Sequence, residues 1–184
     1  AMFNVRTTPL YKKAKELVEK GEIGEIKRTN WIITMWFRSK AYYESATWRA
    51  SWEGEGGGVL LNQAPHQLDL FQWICGMPSK VQAHCKFGSM HDIEVEDDVT
   101  AYLEYPNGAT GVFVTTTCDI PGSNRLEITG DKATLIIENG KIKMRRPETP
   151  VKEFCDNTDL KFGTPDSWDI NIPLRGKAGN HREI

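Results

Sequence analysis

The hydrophobic and polar positions near the start of the chain follow a helical period. Apolar side chains recur at intervals of three and four residues, at Leu10, Ala14, Leu17 and Val18. Thr8 followed by Pro9 is a typical helix start, because threonine can cap free amides and proline loses no hydrogen bond at the first helical position. Gly21 is a typical helix end. The pattern predicts a helix over 9–20.

The next two segments differ in character. Residues 25–38 are rich in Ile, Thr, Trp and Phe and contain neither Gly nor Pro, which predicts one long strand. Residues 39–58 instead predict a long loop, dense in aromatic and arginine side chains and ending in glutamates and glycines. Long loops of this kind more often carry function than decorate a surface. We therefore expect ligand contacts in this loop.

A second helical period follows the glycines, over about 59–75, and Gly76 and Pro78 end it. Its apolar positions lie on one helix face and comprise Leu60, Ala64, Leu68, Phe71 and Cys75. Pro65 interrupts this period because proline cannot donate the hydrogen bond of a helix interior. Two arrangements remain open, a helix that begins near Asn62 and a helix kinked at Pro65.

After the second helix the period of the pattern changes to two, which is typical of strands. Six such runs occur, at 81–87, 99–105, 110–117, 125–129, 133–138 and 141–145. Turn sequences such as Asn107-Gly108 and Asn139-Gly140 separate them and favour hairpins. The order of elements predicts an α+β fold, a large and mostly antiparallel open sheet with helices packed on one face. The other face is partly polar, and we expect a homo-oligomer to form through it.

Length and charge narrow the functional classes. The 184 residues predict one domain, 1–184, and no apolar run approaches the roughly 20 residues that span a bilayer, so we expect no membrane role. Lys and Arg number 23 against 25 Asp and Glu, a net charge of -2 that argues against a nucleic-acid partner. The basic positions in 141–146 alternate with apolar ones, as on a solvated strand face.

The cysteines and histidines show no familiar ligand spacing. Four cysteines are scattered without a C-x-x-C pair, and this pattern favours reduced thiols and a cytoplasmic protein. The four histidines lack a motif such as H-E-x-x-H. We therefore expect no metal site.

Polar residues after the glycines are the candidates for chemistry. On a continuous helix Asn62, His66 and Asp69 lie within about 60° of one another and form one stripe. The nearby helix start disfavours an imidazolium and so favours a neutral His66. The three preceding glycines permit close backbone approach, which suits a flat ligand. Each residue also has a structural interpretation, Asn62 as a helix cap, His66 as a packed side chain and Asp69 as a supporting carboxylate.

The combined string resembles a known family signature. Gly56-Gly57-Gly58, Asn62, His66 and Asp69 are similar to G-G-G-x-x-x-D-x-x-x-H-x-x-D of the glucose-fructose oxidoreductase, inositol dehydrogenase and rhizopine catabolism (Gfo/Idh/MocA) family. The opening at 6–11 and 21–26 also resembles the start of that family's C-terminal domain. The resemblance implies the fold of a glyceraldehyde-3-phosphate dehydrogenase-like C-terminal domain.

The resemblance also implies a chemistry. Members pair such a domain with a Rossmann domain that holds NAD or NADP and supplies a lysine from an E-K-P motif. His66 then acts as acid/base while hydride passes between nicotinamide and a carbon of a sugar, cyclitol or sugar derivative. Asn62 replaces the usual aspartate and would form hydrogen bonds without titrating. The 184 residues contain neither G-x-G-x-x-G nor E-K-P, so we expect the N-terminal Rossmann domain to be absent and the fragment alone to be inactive.

Aromatic, amide and charged side chains of the loop region suit a sugar or polyol substrate. The predicted substrate-binding residues are Arg49, Trp52, Gln63, Asp69 and Tyr43, and Arg38 is the predicted contact to the cofactor. Two other interpretations are kept. The first is a non-catalytic carbohydrate-binding or dimerisation module, for which Asn62 is a clue. The second is a hydrolase using Asp69 with Glu53 or Glu55, which lacks a defensible carboxylate geometry.

Overall fold

One eight-stranded sheet organises the chain, and the computed structural model describes residues 3–176 of it. The strands follow the spatial order β2-β3-β4-β1-β5-β6-β7-β8. Of these neighbours only β1 and β4 run parallel. The α+β fold with a mostly antiparallel open sheet is therefore confirmed. The strands are β1 (Ile26–Ile33), β2 (Lys80–Phe87), β3 (Glu96–Glu104), β4 (Thr110–Thr116), β5 (Asn124–Gly130), β6 (Thr134–Glu138), β7 (Lys141–Pro147) and β8 (Ser167–Ile172).

The first helix has the predicted bounds but not the predicted cap. It begins at Pro9 and ends at Glu19. The hydroxyl of Thr8 donates to the Val5 carbonyl at 2.9 Å, so the threonine side chain does not cap the helix. A short 3-10 helix, Asn4–Thr7, precedes it. The α-helices are α1 (Pro9–Glu19), α2 (Lys40–Tyr43), α3 (Val59–Asn62), α4 (Pro65–Cys75) and α5 (Val151–Asn157).

Two parts of the chain differ from the elements predicted from the sequence. The strand expected over 25–38 stops at Ile33, because the chain then bonds to loop residues instead of a continuous neighbour. The Thr34 amide donates to the Ser123 carbonyl and the Arg38 amide to the Thr117 carbonyl. Neither α5 nor β8 was predicted, since residues 147–184 carry few periodic signals. Residues 177–184 of this stretch lie outside the described part of the chain.

Trp31 lies at the centre of the core and joins the sheet to both long helices. It is fully buried on β1, because the alternation of that strand turns it towards the helices. Its ring centroid lies 6.1 Å from that of Tyr11 on α1, 5.7 Å from Phe71 on α4 and 6.4 Å from Phe113 on β4. Edge-to-face pairs at such distances add to the gain from burial. This packing fixes α4, and the candidate site with it, against the central strands.

The face of the sheet opposite Trp31 and the long helices is partly exposed. Ile32 on β1 and Tyr102 on β3 expose 43% and 44% of their surface there. On β7, Lys143 and Arg145 both pair with Asp169 of β8, as expected for a solvated strand face. Arg146 instead pairs with Glu22 at 2.7 Å and so does not belong to that row.

Two expectations from composition concern the state of the cysteines and a membrane role. All four cysteines, Cys75, Cys85, Cys118 and Cys155, are free. Among residues 3–176 no helix has both the length and the apolar character required to cross a membrane. The cytoplasmic location stays a prediction.

Candidate active site

The glycines of the signature segment allow the backbone to turn and to approach the sheet closely. Gly56 has a φ of +79°, which favours glycine. A Cβ on Gly58 would lie 1.9 Å from the carbonyl oxygen of Glu96, the first residue of β3. No side chain fits there. The close backbone approach that we expected for a flat ligand is therefore made, at Gly58, to the neighbouring strand.

The side chain of Glu96 also anchors this segment. It is only 6% exposed, and it accepts hydrogen bonds from the amides of Gly58 at 2.9 Å and Leu60 at 3.1 Å. A carboxylate at free helix amides makes strong, charge-assisted bonds. The beginning of α3 is thus tied to the beginning of β3.

Proline divides the predicted second helix into two. α3 ends at Asn62, and α4 begins at Pro65 after Ala64, whose φ and ψ are -94° and 0°. Pro65 cannot donate and its ring would clash with a carbonyl one turn earlier, so the run 59–75 cannot continue through it. Asn62 and His66 therefore do not share one helix stripe, which corrects the continuous-helix geometry expected from the sequence.

The buried face of α4 also differs from the predicted one. Leu70, Phe71 and Ile74 are buried, together with Asp69. Leu68, predicted to be part of the apolar face, is 37% exposed. The break at Pro65 rotates α4 relative to the preceding turn, so a single register cannot describe both.

His66 occupies the second position of α4, directly after the initial proline. Its ring packs edge-on against Phe3, with ring centroids 5.8 Å apart. The ring makes no hydrogen bond to any residue within 3–176, and its Nδ1 is buried without a partner there. Buried polar atoms normally have partners. The imidazole therefore makes no hydrogen bond within the described residues that a ligand would have to displace.

Asp69 has a partner within the domain. Its side chain is 3% exposed, and both oxygens accept from the guanidinium of Arg6, with Nε at 2.7 Å. A bidentate pair of this kind fixes geometry as well as charge. It ties α4 to the 3-10 helix before α1. The substrate-binding role predicted for Asp69 thus competes with a full set of internal bonds.

Asn62, Gln63 and Arg49 meet in one network with Tyr42 and Glu55. The Asn62 amide donates to Glu55, and its carbonyl oxygen accepts from Gln63 Nε2 at 2.8 Å. The Tyr42 hydroxyl accepts from Arg49 Nη1 at 2.9 Å and from Gln63 Nε2 at 3.4 Å. Three of the predicted site residues therefore lie together.

The arginines of the loop stack on aromatic rings beside this network. The Arg49 guanidinium lies 4.4 Å from the ring centroid of Tyr42 and 4.5 Å from that of Trp48. The Arg38 guanidinium lies 5.0 Å from the centroid of the same Tyr42 ring. Arg38 Nη1 donates to the Phe37 carbonyl at 3.1 Å, whereas its buried Nε has no partner within 3–176. Such stacking holds cations in place near a polar surface.

Tyr43 and Trp52 are held by other neighbours. The Tyr43 hydroxyl hydrogen-bonds Thr117 Oγ1 at 2.9 Å, and its ring lies 4.7 Å from that of His91. Burial raises the pKa of Tyr43, and the bond to Thr117 partly opposes this. Trp52 is half exposed, 6.1 Å from the ring of Phe87. The Tyr43 ring packs edge-on against that of Tyr42, with centroids 5.1 Å apart, but its hydroxyl bonds to Thr117, and the Trp52 amide bonds to Glu94.

A groove of about 510 Å³ runs between α4 and the strands β2 and β3. Its walls are mostly apolar and include Leu68, Phe71, Val81, Val99 and Leu103. Polyols need several hydrogen-bonding partners, so this lining suits them poorly. The groove is distinct from the polar network of the loop.

Sequence reasoning overlooked four residues that position the site. Tyr42 and Glu55 lie in the loop where the sequence predicts ligand contacts, and Glu55 directly precedes the glycines, but neither was predicted as a binding residue. Arg6 and Glu96 lie 63 and 38 residues from their partners, and no local pattern could identify them. A buried acid requires a hydrogen-bonding partner, but the sequence does not say which residue provides it.

Curated relatives of this chain are dehydrogenases. The trans-1,2-dihydrobenzene-1,2-diol dehydrogenase of Bos taurus is 26% identical over 166 residues, which cover 81% of this chain and 45% of the relative. The levoglucosan dehydrogenase of Pseudarthrobacter phenanthrenivorans is 25% identical over 185 residues, covering 86% and 46%. The chain spans about half the length of the curated relatives it matches.

Solved structures and a family profile agree with these relatives. The WlbA dehydrogenase from Bordetella pertussis, solved with NADH and UDP-GlcNAcA, is 31% identical with a TM-score of 0.68, covering 73% of this chain and 41% of that one. Levoglucosan dehydrogenase with NADH, at 20% identity and a TM-score of 0.72, shares the fold over 95% of this chain and 46% of that one. The profile of the GFO/IDH/MocA C-terminal domain matches residues 11–136, more than half of the chain. This chain therefore belongs to the GFO/IDH/MocA family, as its C-terminal domain.

Proposed function

We propose that this domain forms the substrate side of an NAD(P)-dependent dehydrogenase acting on a sugar, cyclitol or sugar derivative. The observation that carries the proposal is the state of His66. It lies at the start of α4 in the family's signature segment and makes no hydrogen bond to residues 3–176. Levoglucosan dehydrogenase and WlbA, which resemble this chain, have been solved with such ligands.

In the oxidation direction His66 accepts the proton of the reacting hydroxyl as the carbon bearing it loses hydride. In reduction His66 returns that proton to the new alkoxide oxygen. An imidazole suits both directions because its usual pKa lies near neutral pH. The proton balance is thus carried by one side chain of this domain.

The network around Tyr42 provides a second wall. Gln63, Asn62 and Arg49 present amide and guanidinium groups beside it, and these can bind hydroxyl oxygens. Glu55 fixes the Asn62 amide, so Asn62 acts by orientation and not by titration. Asp69 supports α4 through Arg6. We assign Asp69 a positioning role on that basis.

The bound cofactor supplies the acceptor or donor of hydride, NAD or NADP. Arg38 fits a contact to such a cofactor, because its buried Nε has no partner within 3–176. An orphan guanidinium donor suits a carbonyl or phosphate oxygen. The glycine-rich fold that holds the rest of a dinucleotide is assigned to the part of the protein outside these 184 residues.

The proposal is tested on the complete gene product with NAD or NADP and a panel of polyols, hexoses, cyclitols and nucleotide sugars. Reduction of the cofactor with at least one class supports a dehydrogenase. Saturable binding of a sugar without turnover by any class would contradict it and favour the non-catalytic binding module. Heat-treated protein provides the control for background reduction.

We also propose that a second copy of the chain covers the open sheet face. Ile32 on β1 and Tyr102 on β3 expose apolar surface on that face, next to charged residues and threonines. Ile32→Arg should convert the oligomer into monomer in light scattering of the complete protein. Val151→Arg, equally exposed on α5, is the control and should leave the mass unchanged. An unchanged mass for both variants contradicts this interface.

A further inference from the structure

Three potential metal ligands of different chemistry converge beside the loop, outside the proposed proton-transfer site. His91 lies between β2 and β3, Asp97 is the second residue of β3, and Cys118 follows β4 by two residues. One ligand atom from each lies within 4.8 Å of the other two. The sequence predicted no metal site, because these residues come from three separate segments.

The hydrogen bond at the far side of the His91 ring sets its tautomer. Nε2 lies 2.8 Å from the Arg38 carbonyl oxygen, which can only accept, so Nε2 carries a proton. Nδ1 lies 3.2 Å from Asp97 Oδ2, where a proton on Nδ1 makes a hydrogen bond and a metal ion can take the place of that proton. Metal-bound histidines in proteins typically donate their other nitrogen to a backbone carbonyl in this way.

The Asp97 carboxylate is held in place by backbone amides. The amide of Ser89 donates to Oδ1 at 2.9 Å and that of Met90 donates to Oδ2 at 3.2 Å. Its side chain is fully buried. The backbone carbonyl of Asp97 accepts from Thr116 Oγ1 at 2.7 Å, which locks β3 to the end of β4. The site is therefore rigid before any ion binds.

Two of the three separations match a tetrahedral zinc ion, and the third is below 4.8 Å. With Zn–S of about 2.3 Å and Zn–N and Zn–O of about 2.0 Å, tetrahedral ligands lie about 3.3 Å apart for nitrogen and oxygen and about 3.5 Å for sulfur and oxygen. The observed separations are 3.2 Å from His91 Nδ1 to Asp97 Oδ2 and 3.6 Å from Cys118 Sγ to the same oxygen. The set of thiolate, imidazole and carboxylate is one that zinc prefers.

We propose that His91 Nδ1, Asp97 Oδ2 and Cys118 Sγ bind a divalent zinc ion, with a fourth position left for water. Binding releases the proton of the Cys118 thiol, and any proton on His91 Nδ1, to solvent. The ion links the β2–β3 loop, β3 and the end of β4. The ring of His91 also lies against Tyr43, so the metal would order the loop residues next to it.

Cobalt(II) is a direct probe, because a thiolate bound to it produces an intense charge-transfer band. We expect metal-free complete gene product to bind one cobalt per chain with that band, and zinc to displace it. Cys118→Ser should abolish the band, and His91→Ala should weaken cobalt affinity by more than about 100-fold. Cys155→Ser, which removes an exposed cysteine elsewhere, is the matched control and should keep the full signal.

Two results would overturn the site. A cobalt titration that produces no thiolate band would mean that His91, Asp97 and Cys118 form only a hydrogen-bonded cluster. A band that persists in Cys118→Ser places the metal elsewhere. Because Cys118→Ser is nearly isosteric, its thermal unfolding in the absence of metal should match that of the parent. Zinc should raise the unfolding temperature of the parent and of Cys155→Ser, and not that of Cys118→Ser. None of these readouts depends on dehydrogenase activity.

Discussion

The sheet over 80–147 and the segment 34–64 are built on different principles. In the sheet, backbone pairing between neighbouring strands fixes each residue, and the inward side chains need only be apolar. In the segment, a few side chains hold the backbone, as Glu96 of β3 holds Gly58 and Glu55 holds Ala50 within the loop. The sheet is redundant, whereas the segment depends on single contacts. Substitutions should therefore have larger effects on the segment than on the sheet.

Gly58→Ala is expected to have the largest effect on stability. Its Cβ would overlap the Glu96 carbonyl at 1.9 Å, and backbone on an inner strand cannot yield. We expect a loss of at least about 3 kcal/mol in the free energy of unfolding and protease sensitivity in residues 39–58.

The control for Gly58→Ala is its neighbour. A Cβ on Gly57 meets only the side chain of Leu61, at 3.1 Å, and Leu61 is half exposed and can move. Denaturant unfolding of Gly57→Ala should show a loss of under about 1.5 kcal/mol. Equal losses for both variants would mean that the contact with β3 does not hold the segment.

Arg6→Ala should destabilise by roughly 2 to 4 kcal/mol, because it leaves the buried Asp69 carboxylate without its partner. The double variant Arg6→Ala with Asp69→Asn should recover part of this loss, since it removes the unpaired charge. Chemical unfolding of the two variants measures the difference. If the double variant is no more stable than Arg6→Ala, the pair does not support α4 as described.

The sequence predicted the sheet well and the site in part. Six strand runs were located within a few residues because period-two burial is written locally, at positions such as Leu126 and Ile128. The glycines and His66 were recognised because the signature is contiguous. The two-part helix at Pro65 was only an open alternative, since proline is tolerated in several backbone arrangements.

The sequence could not predict hydrogen bonds between residues that are far apart in the chain. Arg6 with Asp69 and Glu96 with Gly58 join segments whose separation carries no local signal. The same holds for His91, Asp97 and Cys118, whose spacing matches no metal motif. Their convergence follows from the register of β3 against β4, which pairs Asp98 with Thr116. Such sites emerge only after the sheet is assembled.

Glu55→Gln tests whether the Tyr42 network binds substrate. One oxygen of Glu55 accepts from the Asn62 amide and the other from the Ala50 amide at 2.9 Å. The variant loses one of these bonds, worth about 1 kcal/mol, so we expect KM to rise about 5- to 10-fold with a smaller change in kcat. The exposed neighbour Glu53 provides the control, Glu53→Gln. Unchanged KM in Glu55→Gln would separate the network from the substrate.

The smallest effect is expected within the sheet, from Tyr105→Phe. The variant loses the bond between the Tyr105 hydroxyl and Thr29 Oγ1, at 3.0 Å, which costs about 1 kcal/mol. Burial raises the pKa of Tyr105 to about 12, above its usual value of about 10. Folding thus favours the neutral phenol. This contribution is complete below pH of about 10 and is lost as the pH rises towards 12.

Unfolding measured across pH 9 to 12 compares the parent with Tyr105→Phe. The parent should lose more stability over that range than the variant, which has no phenol to ionise. Parallel pH curves would contradict the assignment of this alkaline loss to Tyr105.

Turnover of the His66→Ala variant in the complete gene product is the most direct test of the account. We predict at least about a 100-fold fall in kcat, the usual scale of general acid-base catalysis, with cofactor binding retained. His84→Ala, which removes an exposed histidine on β2, should turn over like the parent. Near-parental kcat in His66→Ala would contradict the central claim that this domain supplies the proton acceptor.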